Sequence, residues 1–176
     1  TTRMEWGYAL VKKQNSIPYD GCQYVTIKNC TVTLQKAYLN SVGIYAGNHI
    51  ATSTTALTLI DPSDAMNNCK FFSNNITNVY TGIEFTGFNA PSPYTLYNQG
   101  NEIGVSGVNT ITNFGGLSST ANGIYSIYEA GIKVANNSIS GGTATTGTLN
   151  GIYISTATSA GVNIYENSLT LAGGGT

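Results

Sequence analysis

Two phrases of the sequence nearly coincide: NGIYSIYEAGIKVANNSISGG at 122–142 and NGIYISTATSAGVNIYENSLTLAGG at 150–174. A repeat constrains the fold more than any local pattern, because each copy must bury its apolar face against its neighbours. Two marks carry this repeat through the chain. The first is a slot two residues before an apolar residue, filled by Cys30, Asn74, Asn109, Asn137 and Asn167 and followed by Val32, Ile76, Ile111, Ile139 and Leu169. The second is the glycine of GIY, at Gly7, Gly43, Gly82, Gly123 and Gly151. The marks alternate strictly. The arc from the first mark to the next glycine is nearly constant in length, whereas the arc from glycine to the next slot accepts insertions. A stack of equivalent units with loops growing from one side has this signature.

Within each copy the runs GIYI, GVNIY, GIKV and VTIK place apolar residues at every second position, as half-buried strands do. No stretch sustains an apolar period of 3.6, so helical repeats are excluded. Equivalent positions then form columns. Tyr8, Ile44, Ile83, Ile124 and Ile152 should face inward; Ala9, Tyr45, Glu84, Tyr125 and Tyr153 should face outward by strand alternation. A second strand begins with the column Val25, Cys69, Gly104, Ile132 and Val162, followed two positions on by Ile27, Phe71, Ser106, Val134 and Ile164. The glycine and serine of the third copy suggest a slip of one residue, repaired by Ile103 and Val105. The asparagine column is expected at a tight bend, where Asn tolerates the left-handed conformation and its amide can run a hydrogen-bond ladder along the stack.

These marks and runs resemble the right-handed parallel β-helix repeat family, the pectate-lyase-like superfold, over residues 7–172. The resemblance implies an all-β, right-handed parallel β-helix of about five coils with loop insertions on one side, strands of successive coils lying about 4.8 Å apart. Residues 1–176 then form one segment of a larger protein with further coils or domains. The tail TLAGGGT supplies no polar cap for the last coil, and TTRMEWGYALVKKQ either begins a coil or covers an end. Enzymes of this superfold act on acidic or neutral polysaccharides through charged side chains on one outward face. The polygalacturonase motifs NTD, DD, GHG and RIK are absent, and the sole arginine is Arg3. The resemblance therefore carries the architecture and not the catalysis.

Only 9% of the residues are charged, with a net charge of −1, against about 25% charged in an average globular chain. Nothing builds a basic stripe, so nucleic acid and anionic membrane surfaces are not expected partners. The 41% hydrophobic content argues against disorder. No apolar run approaches the roughly 18 residues of a membrane span. Cys22, Cys30 and Cys69 have no metal-ligand spacing and read as small buried apolar residues. No metal site or cofactor is expected.

Candidate chemistry is sparse. Asp61 and Asp64 in DPSD read first as a turn with an Asx hydrogen bond, and second as a carboxyl pair. His49, the only histidine, reads as a surface loop residue. The outward file Tyr45, Glu84, Tyr125 and Tyr153 reads first as rings stacking on one another and second as the candidate carbohydrate-binding surface. Two functions follow. The chain is a structural or adhesive segment of a secreted or cell-surface bacterial protein, touching glycans through the tyrosine stripe. Alternatively, it is a fragment of a polysaccharide lyase or glycoside hydrolase whose catalytic residues lie elsewhere. The composition and missing catalytic motifs favour the first and lean against an enzyme.

Overall fold

A computed structural model describes residues 5–173; Arg3 lies outside them. The chain makes the same three-strand pass repeatedly. The first pass is β1 (Glu5–Lys12), β2 (Thr26–Lys28) and β3 (Thr31–Thr33). The second is β4 (Ser41–Ile50), β5 (Lys70–Phe72) and β6 (Asn75–Thr77). The third is β7 (Thr81–Thr86), the short β8 (Asn98–Gln99), β9 (Glu102–Ile103) and β10 (Asn109–Phe114). The fourth is β11 (Ala121–Ile127), the short β12 (Glu129–Ala130), β13 (Ile132–Ala135) and β14 (Asn137–Gly141). The last is β15 (Leu149–Ser155), β16 (Val162–Tyr165) and β17 (Ser168–Leu171).

The strands assemble into three five-stranded sheets, β1-β4-β7-β11-β15, β2-β5-β9-β13-β16 and β3-β6-β10-β14-β17, with a two-stranded β8-β12 pair between the first two. Every named strand pairing is parallel. The fold is all-β with parallel sheets, each pass lying on the one before. The long insertions, 13–25, 51–69 and 87–97, all fall between a strand of the first sheet and the next strand of the second.

The expected columns are observed in the first sheet. Tyr8, Ile44, Ile83, Ile124 and Ile152 pair in register, and so do Ala9, Tyr45, Glu84, Tyr125 and Tyr153. Ile44, Ile83 and Ile124 are fully buried. Tyr8 is 41% exposed, because β1 is an edge strand with a neighbour on one side only. Across the interior, Ile76, Ile111 and Ile139 of the third sheet reach the glycine column. A Cβ on Gly123 would lie 2.5 Å from Ile139 Cγ2 and 2.6 Å from the Gly151 carbonyl oxygen. The recurrent glycine therefore lets two sheets approach closely. Phe71 and Phe85 stack at 4.8 Å in the same core.

Two expectations are corrected. The third copy of the second sheet is displaced by three residues, not one. Ile103 pairs with Phe71 and Val134, so Asn101, not Gly104, stands beside Cys69 and Ile132. The extra residues close a turn in which Gly107 N–H donates to the Gly104 carbonyl at 3.1 Å. Second, the ladder asparagines do not adopt the left-handed conformation. The positive-φ residues at that bend are Asn29, before Cys30, and Ser73, Asn136 and Glu166, before Asn74, Asn137 and Asn167. The bend before the second sheet uses Tyr24, Asn68, Gly100, Gly131 and Gly161 in the same way.

The ladder itself is continuous. Asn74 Nδ2 donates to Asn109 Oδ1 at 3.1 Å, Asn109 Nδ2 to Asn137 Oδ1 at 2.9 Å, and Asn137 Nδ2 to Asn167 Oδ1 at 2.9 Å. The backbone N–H groups of Cys30, Asn74 and Asn137 donate to the side-chain oxygens of Asn74, Asn109 and Asn167. The Nδ2 groups of Asn74, Asn109 and Asn137 also donate to the Ile27, Phe71 and Ile103 carbonyls. Backbone groups at the bend, out of reach of the sheet ladders, are thereby satisfied.

Candidate functional site

The outer face of the first sheet holds the candidate residues. Register places Glu84 directly between Tyr45 and Tyr125, with Tyr153 beyond. Tyr125 and Tyr153 stack at 5.3 Å with an interplanar angle of 7°. Ala9 occupies the file above Tyr45, and its small side chain leaves room for Trp6, which stacks on Tyr45 at 4.9 Å and 6°. The file thus reads two rings, one carboxylate, two rings. Stacking of tyrosine on tyrosine, as the sequence suggested, accounts for the Tyr125–Tyr153 pair; the Trp6–Tyr45 pair was not foreseen.

The stripe is less open than alternation alone suggested. Tyr153 is exposed, but Tyr45, Glu84 and Tyr125 are half-buried. A cleft of about 190 Å³ is lined by Trp6, Val42, Tyr45, Thr54, Thr81 and Glu84, with Leu39 and Asn40 at its edge. A second hollow, formed by Ala51, Thr52, Ser53 and Thr54, lies against the same Trp6. The 51–54 turn therefore forms a wall beside the indole.

His49 is not a surface loop residue. It lies in β4, buried, its Nε2 2.8 Å from the Tyr45 hydroxyl and its Nδ1 2.7 Å from the Ile50 carbonyl oxygen. Because a carbonyl only accepts, Nδ1 carries a proton, and in that tautomer Nε2 accepts from the Tyr45 O–H. This bond anchors the far end of the Tyr45 ring. Burial, with Glu84 nearby, pushes the Tyr45 phenol well above its ordinary value, so it stays a donor.

Burial also raises the Glu84 carboxyl, against a lowering contribution from Thr86. Thr86 Oγ1 lies 3.2 Å from Glu84 Oε1. Among the described residues no other hydrogen bond and no ion pair reaches this carboxylate. Glu102 of the second sheet is the contrast. Lys133 and Lys70 approach it at 3.0 and 3.3 Å, one from each side along the stack, and hold it below its ordinary value against the opposing effect of burial.

The DPSD segment is a turn. Asp61 caps a single 3₁₀ turn, Pro62–Asp64, accepting from Ser63 N–H at 2.8 Å and Ser63 Oγ at 2.7 Å. Asp64 faces the interior instead and is fully buried. Lys12, also buried, donates its Nζ to the Asp64 carbonyl at 2.5 Å. Nearby in the core, Glu129 accepts from Asn98 Nδ2 at 2.6 Å and Asn101 Nδ2 at 2.7 Å. Burial pushes Glu129 up to about 8 and Lys12 down to about 8. Sequence reading missed this group. For Lys12 a signal existed, since it shares the inward parity of Tyr8 and Leu10. Its seclusion makes it a structural device, closed to ligands.

The three cysteines are free thiols, Cys69 buried and the other two half-buried. No group of three or more metal-ligating side chains occurs among the described residues, and none of their helices is long and apolar enough to cross a membrane. Scans of protein-family models, of curated proteins and of solved structures returned no match.

Proposed function

We propose that the chain is a right-handed parallel β-helix forming a single stiff unit over residues 1–176. It belongs to a larger secreted or cell-surface bacterial protein, with further coils or domains adjoining it. Its role is structural and adhesive, and the outer face of the first sheet contacts glycans. The observation that carries the reading is the aromatic file of Trp6, Tyr45, Tyr125 and Tyr153 beside a cleft with polar Thr54, Thr81 and Glu84 in its wall. Flat rings next to hydrogen-bonding groups suit the apolar faces and hydroxyl edges of pyranose rings. Hydrolysis of a glycosidic bond calls for two carboxyls about 5 to 9.5 Å apart. Among the described residues Glu84 is the single carboxylate lining the cleft, so the adhesive reading is preferred over a lyase or hydrolase fragment.

The test is a glycan array followed by calorimetry on the best ligand. The Tyr125→Ala/Tyr153→Ala protein should lose at least about tenfold in affinity, equivalent to about 1.4 kcal/mol, with an unchanged circular dichroism spectrum. If no glycan binds the wild-type chain, the role is structural alone.

A further inference from the structure

We propose that Glu84 makes this face selective for sugars bearing a free ammonium group, such as 2-amino-2-deoxypyranosides. The inference rests on the reading of the face as a sugar-contact surface and adds the class of sugar. Three observations carry it. Glu84 interrupts the ring file, with the tyrosine above and the tyrosine below separated by two strand spacings, about 9.6 Å at 4.8 Å per strand. Glu84 also lines the cleft beside Trp6 and Tyr45, and among the described residues no basic side chain lines that cleft.

The third observation is charge. A carboxylate offers about four acceptor positions, and Thr86 occupies one of Glu84's. Glu102, at the same level of neighbour pairing in the second sheet, is flanked by lysine on both sides. Tyr45 and Tyr125 stand in the equivalent places around Glu84, so among the described residues no cation pairs with it. A ligand ammonium supplies the missing cation, and its hydrogen bond to a carboxylate is stronger than that of a hydroxyl. The flanking ring faces add cation–π attraction. An acidic sugar would instead place like charges together in a half-desolvated cleft, which is unfavourable.

The experiment compares binding of a fully deacetylated glucosamine tetramer, its N-acetylated counterpart and a tetragalacturonate by calorimetry at about pH 6.5 and low salt. The expected result is that wild type prefers the ammonium tetramer to the N-acetylated one by about tenfold, about 1.4 kcal/mol, and that added salt narrows the gap. Glu84→Gln should lose the preference, binding the two tetramers with equal affinity. Equal wild-type affinity for both tetramers, or tighter binding of the galacturonate, overturns the ammonium selectivity and leaves the sugar surface standing. Binding of none of them by wild type, together with a blank glycan array, overturns both. Equal capture of a lysine-rich peptide would show a general cation slot and overturn the sugar assignment. The wild-type comparison decides the matter even if Glu84→Gln fails to fold.

Discussion

At the scale of single residues, the interior holds charges that a core of isoleucines would not call for. Lys12 and Glu129 are both buried, and their folded pKa values converge near 8 from opposite sides. For Glu129 the value rises from an ordinary 4.5. The folded chain therefore keeps a proton that the unfolded chain has lost, and stability falls as pH climbs from about 4.5 to about 8. For Lys12 the value drops from 10.5. There the unfolded chain holds the extra proton, and stability recovers between about 8 and 10.5. Urea titrations across this range should show a minimum near pH 8, and Glu129→Gln should flatten the acid-side limb. Parity could have flagged Lys12. Glu129 was invisible because it follows Tyr128, whose φ of 59° ends the strand's alternation, and Asp64 because it lies in an insertion without period. His49 was misread for a simpler reason: β4 runs on to Ile50, beyond the GIY mark that located it.

At the scale of strands, the first and third sheets were legible almost residue by residue. Their columns recur with a fixed offset from the glycine and asparagine marks, and one face of each is buried, so register is strongly specified. The second sheet was legible in four passes of five. In the third, the β8 strand and the Gly104–Gly107 turn take up length differently, and no local pattern distinguishes a three-residue offset from a one-residue slip. The glycine marks have a testable consequence. Gly123→Ala drives a methyl into Ile139 and the Gly151 carbonyl, and should cost about 1–3 kcal/mol of stability, as overpacking of a close contact does. The readout is the urea midpoint at unchanged m-value. Trp6 joined the ring file unannounced, because its place depends on the small Ala9 and on the 51–54 wall, neither of which the repeat encodes.

At the scale of the whole molecule, each pass contacts chiefly the passes before and after it, so stability should vary along the stack. Passes in the middle are covered on both sides, whereas Ile164 and Leu169 in the last are 52% and 48% exposed. Hydrogen exchange should therefore show amides of β6 and β10 protected longest and those of β16 and β17 released first; uniform protection along the stack would contradict this gradient. The asparagine ladder gives the stack a direction as well. The side-chain oxygens of Asn74, Asn109 and Asn167 cap backbone N–H groups of the pass preceding them. Each stretch leaving the ribosome thus waits for a latch supplied by the stretch synthesised after it. A stack built up in the order of its synthesis would close these latches one by one, each new pass capping the bend of the one before it.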